Sequence, residues 1–109
     1  MQKVVIESPY SGKTEAEIQG NVDYARLCMR DALNRNEAPI ASHLLYTQPG
    51  ILDDSKPEER AKGLAAGFAW NIYADAVVVY TDLGITEGMK QGIELATNSN
   101  IPIEYRTLL

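Results

Sequence analysis

The run Ala76-Val77-Val78-Val79-Tyr80 constrains the fold more than any other stretch of this chain. A strand with one wet face alternates apolar and polar side chains. An uninterrupted valine run suits a central strand covered on both faces, the usual situation in parallel sheets. Further strands are predicted at Lys3 to Glu7, at Ile40 to Tyr46 and at Ile103 to Arg106.

Helical patterns separate these strands. Ile18, Val22, Ala25, Met29, Ala32 and Leu33 step by fours and threes, the period of one helical face. The pattern stops at Asn34-Arg35-Asn36, and Pro39 cannot continue it. After the loop Thr47 to Asp54, Ser55 reads as an N-cap with Glu58 three residues on and Pro57 in the first turn. That helix extends to about Tyr73, and its Gly63 and Gly67 suit a close helix contact. Thr86 caps a third helix carrying Met89, Ile93 and Ala96, which ends at Asn98 to Asn100. Strand–helix alternation of this kind predicts a three-layer α/β domain over residues 1–109, with a parallel sheet of four strands, or five with one more short one.

Composition removes several functional classes. Fifteen acidic against ten scattered basic side chains give a formal charge of −5, which argues against a nucleic-acid polymer as partner. Cys28 is the single cysteine, so neither an internal disulfide nor a thiolate zinc cluster is available. No apolar run approaches the ~20 residues that span a bilayer, and the opening Lys3-Val4-Val5-Ile6 is too short for a signal peptide. The expectation is a cytoplasmic homodimer with no membrane partner, no metal and no cofactor, since dimerisation helps to stabilise a domain of this size.

Ligands of open parallel sheets bind beyond the carboxyl ends of the strands, where strand order reverses. That places a site among Ser8 to Gly12, Tyr46 to Asp54 and Tyr80 to Gly88. Ser8, Tyr10, Ser11 and Gly12 offer hydroxyls, an aromatic ring and a closely approachable backbone; an ordinary turn would need Pro9 and Gly12 for geometry alone. Asp82, Gly84, Thr86 and Gly88 lead into a helix N-terminus, where free amides favour negative charge. Asp82 is placed either to accept from a ribose diol or to cap its own turn. His43 is expected within a strand, packed and hydrogen-bonded or acting as an acid or base near neutral pH. Asp53-Asp54 reads as an exposed loop, Cys28 as a core residue, and Trp70 and Tyr73 as core or interface anchors.

Taken together, Glu7-Ser8-Pro9-Tyr10-Ser11-Gly12, Asn21, Tyr24-Ala25-Arg26, Ala41 to Thr47, Pro57-Glu58-Glu59-Arg60 and Tyr80 to Met89 resemble a family of small proteins common in bacteriophages and prophages. That family looks like a minimal relative of the nucleoside 2-deoxyribosyltransferases, which are flavodoxin-like and related to nucleotide-sensing and TIR-type domains. The resemblance implies a nucleoside or nucleotide held by the first strand–helix loop and by the loop after the third strand. It matches Tyr10 to the aromatic near the sugar and Asp82 to the loop carboxylate. The transferase nucleophile, a glutamate four residues after the loop glycine, falls here on Gly92, and Glu94 lies about 200° round the helix from it.

Two functional expectations follow. The first is a nucleotide-type small molecule bound by Ser8, Tyr10, Ser11, Gly12, Tyr46, Asp82, Gly84, Thr86 and Gly88, with Gln48 to Asp54 as a lid. One version of it is a phage protein in the host cytoplasm sequestering an ADP-ribose-derived or cyclic nucleotide immune signal. The alternative is an N-glycoside hydrolase or deoxyribosyltransferase-like enzyme using Asp82, Glu87 or His43. An interaction module without a small ligand would leave the strand ends tight and empty.

Overall fold

The computed structural model describes all residues, 1–109. Its elements are β1 (Lys3–Glu7), α1 (Glu15–Asn34), β2 (Ala38–Ile40), α2 (Ser42–Leu45), α3 (Pro57–Asn71), β3 (Ala76–Tyr80), α4 (Glu87–Asn98) and β4 (Ile103–Arg106). The four strands form one sheet in the order β2-β1-β3-β4, with every neighbouring pair parallel. This is the three-layer α/β arrangement expected from the alternation, with a flavodoxin-like strand order.

The valine run explains the layering. Period-two alternation sends Val78 and Tyr80 to one face of β3, and Val77 and Val79 to the other. Val78 and Tyr80 pack with Val4 and Ile6 of β1 and with Tyr24, Cys28 and Ala32 of α1. Val77 and Val79 pack with Val5 and with Met89 and Ala96 of α4. All three valines are fully buried. The α3 helix lies against α2 and beside α4. The connection from β1 runs outward to β2 and that from β3 runs outward to β4, so the order reverses between β1 and β3.

Helix ends follow local chemistry. Thr14 caps α1 through its hydroxyl, and Thr86 caps α4 in the same way. Both helices stop at an asparagine with positive φ, Asn36 at 64° and Asn100 at 58°. Glu37 N then donates to Ala32 O, and Ile101 N to Ala96 O, which closes each C-terminus.

Two expectations are corrected here. The second strand is not Ile40 to Tyr46: only Ala38–Ile40 is extended, and Ser42–Leu45 turns into a short helix. The amides of Leu44 and Leu45 both bond to Ala41 O, so the apolar pair Ala41 and Leu44 marks a helical turn rather than a strand face. Pro39 sits inside β2, which is tolerable because β2 is the sheet edge and pairs only with β1. Ser55 does not cap α3 either. The cap position belongs to Lys56 without a side-chain bond, because the Ser55 amide and hydroxyl both donate to Asp53.

Candidate functional site

At the reversal point, β1, α2, α3 and the start of α4 enclose one cavity of about 80 Å³. Glu7 and Ser8 come from the end of β1, Tyr10 and Ser11 from the loop after it, and His43 and Tyr46 from α2 and its C-cap. Asp54 comes from the loop before α3 and Arg60 from α3 itself, while Thr86 and Gly88 come from the start of α4. Ser11 and Thr86, on separate crossovers, therefore line the same hollow. Asn21 of α1 holds the first loop in place, its side-chain amide donating to the carbonyls of Tyr10 and Ser11 at 3.0 and 3.2 Å.

Glu7 is the residue that sequence reasoning passed over. Alternation along β1 puts it on the Val5 side, under α4. Its carboxyl lies against Gly92, where any Cβ would collide with it. Burial alone pushes this carboxyl up to about 8, so it carries its proton at neutral pH. No protein group forms a hydrogen bond or ion pair with it. Two signals were present in the sequence: the parity of Glu7 along the strand, and the glycine within α4.

His43 also differs from expectation, since it lies on α2 rather than in a strand. The short helix turns it toward Ser8, with Ser8 Oγ and His43 Nε2 2.7 Å apart. Burial lowers the imidazole to about 4 and keeps it neutral at physiological pH. Ser42 and Tyr46, four residues apart on that turn, both line the cavity. The Tyr46 hydroxyl accepts from Trp70 Nε1 at 3.0 Å. Trp70 and Tyr73 are 55% and 72% exposed, so neither is a core residue. Cys28 is fully buried, and burial pushes its thiol up to about 12, which leaves it inert.

The loop residues divide. Asp82 continues the parity of Tyr80 and turns to the α1 side, away from the cavity. Its carboxylate accepts from Tyr24 Oη at 2.6 Å and from the Leu108 amide at 3.0 Å. The Tyr24 hydrogen bond holds Asp82 below the usual carboxylate range. Asp82 thus ties the chain's C-terminal end to α1. Tyr24→Phe is expected to lower the thermal midpoint by several degrees while leaving ligand titration unchanged; a loss of ligand affinity would return Asp82 to the site.

Gly84 lies outside the cavity in an exposed turn, where its φ of 88° is what the turn requires. Gly12 also lies outside it, packed against the Glu17 side chain. Glu87 is at the surface beside Lys90 Nζ, 3.3 Å away. Asp53 is exposed, but Asp54 accepts from Arg60 Nη1 at 2.9 Å inside the cavity wall. No group of His, Cys, Asp and Glu side chains in the structure has the arrangement of a metal site.

A family model described as a domain of unknown function, DUF7768, matches residues 2–106. The chain belongs to the DUF7768 family. A search of curated protein sequences finds no significant match. Among solved structures, the chain is similar to a 2-deoxyribosyltransferase from the psychrotolerant bacterium Bacillus psychrosaccharolyticus, described as a biocatalyst for the synthesis of antiviral and antitumoral nucleosides. The TM-score is 0.64 at 15% identity, covering 96% of this chain and 72% of that one. At this identity the likeness establishes a shared fold for this DUF7768 domain. No helix in it is long and apolar enough to cross a membrane.

Proposed function

We propose that this DUF7768 domain binds a nucleoside-type small molecule, with the sugar in the cavity and the base against Tyr10 at its mouth. The observation that carries this reading is the convergence of Glu7, Ser8 and His43 at the strand ends. An uncharged carboxyl, a hydroxyl and a neutral imidazole suit sugar hydroxyls, each of which both donates and accepts. The fold shared with a 2-deoxyribosyltransferase supports the same ligand class.

Charge favours a neutral moiety inside. Asp54, Glu59 and Arg60 line the cavity, and the one guanidinium is already paired with Asp54. At the first turn of α4, Thr86 Oγ1 accepts from the Met89 amide at 3.3 Å and Glu87 adds a negative charge. On this reading any phosphate on the ligand sits outside the cavity. At about 80 Å³ the enclosed space is well below the ~300–1,000 Å³ typical of whole-ligand pockets, so the base projects beyond it.

Isothermal titration with nucleosides, cyclic nucleotides and ADP-ribose tests the reading, including the version in which a phage protein sequesters an ADP-ribose-derived or cyclic signal. Heat with nucleosides is expected, and Tyr10→Ala should weaken it about tenfold or more through lost stacking. Absence of heat with every ligand would reject a nucleoside-type site.

A further inference from the structure

We propose that the free edge of β4 is the surface on which two copies of this chain pair, antiparallel, into one continuous sheet. β4 has β3 as its only neighbour. Val77 N donates to Pro102 O and Thr81 N to Arg106 O, so the even-numbered residues of β4 turn their backbone groups toward β3. Ile103 and Tyr105 therefore direct their N–H and C=O groups outward.

The two edges of the sheet are not alike. Proteins commonly blunt an exposed edge with proline, lysine, a bulge or a covering element. In β2, Ala38 N donates to Gln2 O, so position 39 faces out, and Pro39 offers no donor there. β4 contains neither proline nor lysine, keeps an unbroken register against β3, and leaves Tyr105 57% exposed.

The side chains select one register. A two-fold axis brings the same edge together antiparallel, with outward-directed residues opposite one another. Placing Tyr105 opposite the partner's Tyr105 sets Glu104 opposite the partner's Arg106, and Arg106 opposite the partner's Glu104. The neighbouring register sets Glu104 against the partner's Glu104, which like charge disfavours. Within one copy Arg106 holds Glu37 and Glu104, yet its Nε is buried without a partner. The favoured register brings a further carboxylate to this guanidinium.

Apolar surface flanks the strand on both faces. Tyr105 is in register with Val79, which places it on the α4 side. On the α1 side Leu27 is 55% exposed, and Asp31, one turn further on, accepts from Tyr80 Oη beside Arg106. These side chains add burial to the backbone bonds that the paired strands supply.

Light scattering and sedimentation of the full chain, from low micromolar to submillimolar concentration, test the pairing. The mass should approach twice the 12.0 kDa of one chain as concentration rises. Tyr105→Pro removes an outward N–H and spares every bond to β3, so it should weaken the dimer at least about tenfold. Tyr105→Lys sets like charges on the axis without altering the backbone, and should weaken it similarly. Circular dichroism confirms folding; if Tyr105→Pro loses its fold, Tyr105→Lys alone decides. A wild-type chain that stays monomeric throughout would overturn the pairing, as would a dimer undiminished in either folded variant.

Discussion

Replacing Arg106 with methionine is expected to lower the thermal midpoint by well over ~10 °C. The Arg106 side chain is only 3% exposed, and it holds Glu37 in a bidentate pair at 2.6 and 2.7 Å. The same guanidinium reaches Glu104 at 2.8 Å and Tyr80 Oη at 3.3 Å. The hydrogen bonds to Glu37 raise its already high proton affinity, so the charge is permanent. Arg106 joins the end of β4 to the loop entering β2, on the opposite edge of the sheet. Removing one partner of such a pair leaves the other carboxylate uncompensated, at a cost of about 3–5 kcal/mol. Replacing both partners is cheaper, so Arg106→Met with Glu37→Leu should recover part of the loss. A single variant as stable as its parent would show that the pair contributes little.

The second large effect concerns pH. Glu7 binds its proton up to about pH 8 in the folded chain, whereas the unfolded chain releases it near 4.5. Between these values the folded state holds more protons, so stability falls as pH rises through the window. Each pH unit crossed inside that window costs about 1.4 kcal/mol, and the whole of it about 4–5 kcal/mol. Glu7→Gln removes the ionisation and keeps the shape. It should therefore match the wild type near pH 4 and become progressively more stable than it toward pH 8. Denaturant unfolding at a series of pH values measures the difference, and parallel curves for the two proteins would refute it.

His43 acts in the opposite sense. Its folded value of about 4 lies below the unfolded 6.5, so the unfolded state binds more protons between them. Its contribution to stability is lost as pH falls from 6.5 toward 4. The Glu7→Gln comparison isolates one limb because His43 is common to both proteins.

The two groups also show why the candidate site is only half legible from motifs. The loops carry glycines, hydroxyls and Asp82, which look like ligand chemistry. Thr86 and Ser11 do meet at the cavity, but Asp82 is spent on Tyr24 and Leu108. Glu7 reads as the polar end of a strand; its parity turns it to the α4 side, but only the fold sets Gly92 against it. His43 falls on a helix because β2 stops early: Ala41 to Tyr46 is apolar enough for a strand, yet only three residues pair with β1. An edge segment has one partner, so a few hydrogen bonds decide between one more ladder step and one helical turn.

Sequence alone determined the layered architecture, because a dry valine run needs cover on both faces and strand–helix alternation supplies it. It also determined where α1 and α4 end, since asparagines adopt left-handed backbone at little cost. Tertiary structure alone decided which polar groups face one another. Glu7 meets Gly92 across 85 residues of chain, and Ser8 meets His43 across 35. The proton affinity of a carboxyl depends on what surrounds it in space, and no local pattern along the chain encodes that environment.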